Sequence, residues 1–122
     1  MITFNRIKIG KDATSKLKVI KGRTGLTPNL LCRIALCYSL EKNSYSPLVP
    51  FDEEGMEFNR FTLTGEYDLF FVSLIKEKCK RENLDPDKDF MKQFKYHLNS
   101  GINALYDRIK SISDLTNLIK GN

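Results

Sequence analysis

Strict alternation opens the chain. In "FNRIKIGK", Arg6 and Lys8 fall on one side while Ile7 and Ile9 fall on the other, which predicts a short, half-buried strand closed by Gly10. The period then lengthens. Ala13, Leu17 and Ile20 recur at i, i+4 and i+7, the stripe of a helix over about 13–23, with Asp12 as its candidate N-cap. Thr24 and Gly25 stop that helix, because glycine adopts the left-handed C′ conformation at little cost. Thr27 is a good cap for the next one, and Pro28 suits a first turn, where a missing N–H is no loss. The second helix runs over about 28–41, with Leu30, Leu31, Ile34, Ala35 and Tyr38 forming a broad apolar face. Such a face exceeds what one short neighbour covers, and a strand of about six residues is marginal by itself. Both observations predict a partner chain.

Residues 42–64 read as an irregular connection with a short extended piece at "NRFTL". "GEYDLFFVSLIKEKCKRENL" predicts a helix over about 66–82, with Leu69, Phe70, Val72, Leu74 and Ile75 mostly in the core, and "LDPD" breaks it. A long helix then starts near Asp87 and carries Phe90, Phe94, His97, Leu98, Ile102, Leu105 and Ile109 at helical spacing. Gly101 inside it is tolerated at about 1 kcal/mol. "SDLTNLIK" is a short terminal helix. The expected fold is mainly α: a short N-terminal β-strand, then a helical bundle, oligomeric. A single domain spans 1–122, with a basic strand–helix–helix part at 1–42 and a helical part at 65–120.

Composition adds little until charge is mapped along the chain. A length of 122 residues and 41% hydrophobic content suit one soluble globular domain. No apolar run approaches the roughly 20 residues that span a bilayer, and the N-terminus lacks a signal-peptide pattern, so no membrane and a cytoplasmic location are expected. Residues 1–42 hold nine Lys or Arg against Asp12 and Glu41, a balance of +7, whereas 43–122 hold eleven against thirteen acids, a balance of −2. All the excess positive charge lies in the first third. That asymmetry points to a polyanion-binding surface built from one part of the fold.

Catalytic machinery is hard to assemble. His97 is the single histidine and sits on the inner stripe of a helix, where a structural role is expected. The phosphate-cradling, zinc-protease and nucleophile-elbow motifs are missing. "FDEEGMEF" lacks the ligand spacing of a calcium loop and reads as a solvated charge run. Cys32, Cys37 and Cys79 are an odd number without a paired CxxC, against both a disulfide framework and a zinc site. Cys32 and Cys37 lie in an apolar helical run and read as small buried hydrophobes. No catalytic residue, cofactor or metal is expected.

The order short basic strand, helix, "TGLTP" corner, helix resembles a ribbon-helix-helix module of the Arc and MetJ type. That likeness implies two chains pairing their strands, with Phe4, Arg6 and Lys8 outward, Ile7 and Ile9 inward, and the second helix offering N–H groups near Pro28, Asn29 and Leu30 to a phosphate. The blocks "RTGLTPNLLCRIALCYSL", "EFNRFTLTGEYDLFF" and "HLNSGINALYDRI" are similar, in sequence and in order, to the DndE family of DNA phosphorothioation, over about residues 6–110. This resemblance implies a small, mostly helical homo-oligomer, dimer or tetramer, with a lysine-rich surface for duplex DNA, nicked duplex included. It also implies work beside a cysteine desulfurase, an iron–sulfur protein and an ATPase.

The two lines converge on DNA binding by Arg6, Lys8, Lys11, Lys16, Lys18, Lys21, Arg23, Thr27 and Asn29. Several cations and few base-reading side chains favour phosphate-led, sequence-tolerant binding by a non-enzymatic subunit. A ribbon-helix-helix transcriptional regulator is the alternative. A sulfur-handling enzyme using one of the three cysteines is a third reading.

Overall fold

The computed structural model describes residues 3–42 and 51–120. In chain order these form β1 (Arg6–Lys8), α1 (Lys11–Thr24), α2 (Pro28–Lys42), β2 (Glu57–Asn59), α3 (Arg60–Thr64), a 3-10 turn (Gly65–Tyr67), α4 (Asp68–Arg81), α5 (Phe90–Arg108) and α6 (Ile112–Ile119). The strand–helix–corner–helix order at the N-terminus is as the pattern predicts, and Gly25 closes α1 in the left-handed region at φ 76°. Helix α1 starts two residues earlier than expected. Gly10 takes the N-cap position, and Asp12 lies inside the first turn.

The centre is the antiparallel-spaced pair α2 and α5, brought together by Leu31, Ala35, Phe94, Leu98 and Ile102, all fully buried. Gly101 is required here: a Cβ at this position would collide with the Ala35 backbone, so the glycine sets how closely the two helices approach. Helices α1 and α4 each pack against this pair far more than against each other, so they flank it. The broad face of α2 is thus covered largely from within the chain. Leu31 and Ala35 are buried with Cys32, Leu36, Ser39 and Leu40, whereas Leu30 stays 39% exposed and Ile34 and Tyr38 are half-buried.

The ribbon also closes inside the chain. β1 pairs antiparallel with β2, Ile7 opposite Phe58, where a strand of a second chain was expected. Ile7 and Ile9 point inward and Arg6 and Lys8 outward, as alternation predicts. Phe4 departs from that scheme. Its ring lies 6.0 Å from Phe90 and 5.6 Å from Phe94, with the Arg60 guanidinium 4.6 Å from its own centroid. An aromatic at the end of a three-residue strand gains more by packing on α5 than by holding the alternation.

"NRFTL" is not extended. Asn59 ends β2 and caps α3, its Oδ1 accepting from Phe61 N–H at 3.1 Å and Thr62 N–H at 3.3 Å. Arg60 donates to both Asp68 oxygens at 2.9 Å, and the Thr64 hydroxyl donates to Asp68 at 2.9 Å. Arg33 of α2 donates to the Leu63 carbonyl at 2.6 Å and the Thr62 carbonyl at 3.2 Å, beside Gly65 at φ 61°. The block "EFNRFTLTGEYD" is therefore a pinned corner that aims α4. The phase of α4 differs from the expected one: Phe71, Val72, Ile75 and Cys79 are buried, while Leu69 is 78% and Phe70 53% exposed. In "DLFFVSLI" nearly every position is apolar, so periodicity cannot choose a face and the corner does. Helix α5 begins at Phe90 rather than near Asp87, after Asp85 has accepted the backbone N–H groups of Asp87 and Lys88 at 2.8 Å. Among the described residues, no helix is long and apolar enough to cross a membrane.

Candidate nucleic-acid interface

Helix α1 buries Ala13, Leu17 and Ile20, and this fixes where its cations go. At 100° per residue Lys11, Lys18 and Lys21 fall within an arc of about 80° to one side of that stripe, with Lys21 bordering it, and Lys11 and Lys18 are about 10 Å apart along the axis. All three are exposed, as is Lys8 on β1. Among the described residues, the side chains of Lys8, Lys11, Lys18 and Lys21 make no ion pair, hydrogen bond or ring contact, and the Lys11 charge helps to lower the pKa of Asp52. A solvated, unpaired ammonium group can trade water and counterions for a phosphate at little cost.

The remaining predicted cations are committed elsewhere. Arg23 donates to the Tyr106 carbonyl at 3.3 Å and the Ile109 carbonyl at 3.2 Å, closing the C-terminal end of α5, and its guanidinium lies 5.0 Å from the Tyr106 ring centroid. Lys16 pairs with Asp12 at 3.0 Å and lies 5.4 Å from the same ring. Arg6 pairs with Glu57 across the ribbon at 2.9 Å. Thr27 caps α2, its Oγ1 accepting from Leu30 N–H at 3.3 Å, so that one of the N–H groups expected to meet a phosphate is already engaged. Asn29 is half-buried beside it.

Two contributions were invisible in the charge tally. Lys110 lies 5.4 Å from the Tyr106 ring centroid, so a residue from the acidic part of the chain joins the cations of α1 around one aromatic ring. The acids of the "FDEEGMEF" run, Asp52, Glu53, Glu54 and Glu57, are exposed, as a solvated run would be, and the run also bonds to the start of α1. Asp52 Oδ1 accepts from Lys11 N–H and from Glu54 N–H, each at 2.9 Å, and these bonds, Glu54's first, hold its carboxyl below the usual range. No separation-independent pattern in the sequence signals either contact; only the fold brings them together.

The buried or part-buried histidine and thiols are shifted toward their neutral forms. His97 is fully buried, with Nδ1 2.8 Å from the Ser39 hydroxyl and Nε2 without a hydrogen-bond partner. Burial, followed by the Lys78 charge, lowers its pKa to about 4, so it is neutral at pH 7 on the inner face of α5. Cys32 and Cys79 are buried, and burial raises both thiols, Cys79 to about 11. Cys37 is exposed, not buried as its apolar run suggested, and burial of its sulfur together with Glu41 raises its pKa too. A thiol of raised pKa is a poor nucleophile. Among the described residues there is no group of three or more His, Cys, Asp or Glu side chains placed to hold a metal ion.

The chain matches the family described as "DNA sulphur modification protein DndE" over residues 6–113. Its fold is similar to the crystal structure of DndE from Escherichia coli B7A, involved in DNA phosphorothioation modification. The two share 29% identity at a TM-score of 0.73, over 86% of this chain and 99% of that one. It is also similar to a glycine-to-lysine double mutant of DndE involved in DNA phosphorothioation, with 26% identity and a TM-score of 0.67 over the same shares of the two chains. Comparison with curated proteins gives no match.

Proposed function

The chain belongs to the DndE family of DNA phosphorothioation, and from that premise we propose that it is the non-enzymatic DNA-binding subunit of the modification machinery. The observation that carries this reading is the arc of α1 on which Lys11, Lys18 and Lys21 stand exposed and without ion pairs. With Lys8 they meet duplex DNA, nicked duplex included, by its phosphates. Lys16, Arg23 and Arg6 support the surface through Tyr106 and the ribbon, and Thr27 and Asn29 shape the α2 end of it. Binding is tolerant of sequence, because lysine is a point charge that recognises phosphate without reading bases. The protein works in the cytoplasm as a homo-oligomer, dimer or tetramer. Its partners are the cysteine desulfurase, iron–sulfur protein and ATPase that deliver sulfur.

Fluorescence anisotropy with nicked and intact duplexes of several unrelated sequences tests this. The expectation is binding to all sequences alike, weakened steeply by salt. A single preferred palindrome would favour the transcriptional regulator instead. Loss of DNA modification in cells whose only copy of the protein lacks Cys32, Cys37 and Cys79 but folds normally would contradict the non-enzymatic role.

A further inference from the structure

Residues 52–56 lie across the start of α1 and are fastened there by their main chain. Besides the bonds that Asp52 accepts, Gly55 N–H donates to the Ile9 carbonyl at 2.9 Å and Met56 N–H to the Thr14 hydroxyl at 2.8 Å, while Ile9 N–H donates to the Met56 carbonyl at 3.0 Å. The fit has no slack: a Cβ on Gly55 would overlap the Thr14 hydroxyl and the Gly10 carbonyl. Glu53 is engaged elsewhere, pairing with Lys95 of α5 at 3.0 Å. Glu54 is different. Its carboxylate is exposed and makes no ion pair or hydrogen bond among the described residues. It lines an open hollow of about 510 Å3 together with Lys11, Ser15 and Lys18 of α1.

We propose that Glu54 is a negative determinant of polyanion binding, a carboxylate held beside the arc that opposes any phosphate seated between Lys11 and Lys18. The inference rests on the reading of the arc as a DNA surface and adds a residue that works against it. An acid that served to balance the arc would pair with one of its lysines. Glu54 shares their hollow and stays unpaired, so no cation cancels its field before a phosphate arrives. It cannot be carried aside either. Its own N–H is bonded to Asp52 and that of Gly55 to Ile9, so moving the carboxylate's anchor breaks main-chain bonds. Every duplex offers lysine the same backbone, and attraction alone would hold them all. A fixed acid within a Debye length of the phosphate path keeps that grip weak enough to release.

Fluorescence anisotropy tests this with two probes, duplex DNA and inorganic polyphosphate, across a salt series. Glu54→Gln keeps the N–H to Asp52 and leaves the far-UV circular dichroism unchanged. It tightens binding of both probes about five-fold at low salt, and the gain narrows as salt screens the charge. Glu53→Gln changes the net charge equally but lies at the Lys95 pair, and it moves affinity less than about two-fold. A Glu54→Gln protein that binds no tighter than the wild type, or a Glu53→Gln protein that gains as much, overturns the proposal. Duplex bound alike by all three proteins leaves the DNA reading standing without the determinant. Polyphosphate bound more tightly by Glu54→Gln, with duplex ignored by all three, keeps the determinant and sinks the DNA reading. Failure of every protein to bind either probe at low salt overturns both.

Discussion

The outer arc of α1 and the seam where the same helix meets α5 carry the same kinds of residue and use them differently. On the arc, Lys11, Lys18 and Lys21 are exposed and have no ion pair among the described residues. On the seam, Lys16 and Arg23 converge on Tyr106, and Arg23 spends its donors on two carbonyls at the end of α5. A cation bonded to its own chain has already exchanged water for a partner and has less to gain from a phosphate. The +7 of the first third therefore overstates the charge free to meet a polyanion; the arc, with Lys8, is what remains.

Several experiments can break this contrast, beginning with the largest effect. Lys11→Glu/Lys18→Glu/Lys21→Glu lowers affinity for duplex DNA on the order of 100-fold or more at moderate salt, with the fold intact by circular dichroism. An equal loss from changing Lys16 alone would show that seam and arc are not distinct.

Acid separates interior from surface in another way. His97 is neutral and buried with its pKa at about 4, below the ordinary value of 6.5. Above pH 6.5 both folded and unfolded states leave it uncharged, so it contributes no pH dependence. As pH falls from 6.5 toward 4 the unfolded chain takes up the proton first, and stability drops by up to about 3 kcal/mol. Urea unfolding across that range shows the slope in the wild type, and His97→Gln flattens it.

Arg23→Ala comes next. Removing two charged hydrogen bonds from a part-buried site destabilises the fold by about 2 kcal/mol, read as a lower denaturation midpoint. DNA affinity of the folded protein stays within a few-fold of the wild type. The smallest effect belongs to Arg6→Ala. An exposed ion pair contributes roughly 0–1 kcal/mol, and with Glu57 beside it Arg6 adds little net field, so both stability and salt dependence barely move.

Much of the fold was legible because its signals are local. Alternation in "RIKI" gave β1, the i, i+4, i+7 stripe gave α1, and Thr24, Gly25, Thr27 and Pro28 marked the corner. What escaped depends on residues far apart. The internal ribbon needs Ile7 to find Phe58, and the phase of α4 is chosen by Arg60, Asp68 and Arg33 at a corner whose apolar run fits several faces. Gly101, priced as a weak point in a helix, is the contact that lets α5 reach α2. At the candidate interface the residue types and the helix were readable, but the division of its cations into bonded and free was not. That division is set by the carbonyls of Tyr106 and Ile109, more than eighty residues away.

The salt dependence of DNA binding, compared between the wild type and the Lys11, Lys18, Lys21 triple variant, bears most directly on the claim that the arc is the DNA surface. Three lost phosphate contacts per chain should make the slope of log affinity against log salt shallower by about 2.7. A triple variant that keeps the wild-type slope and affinity would contradict the account.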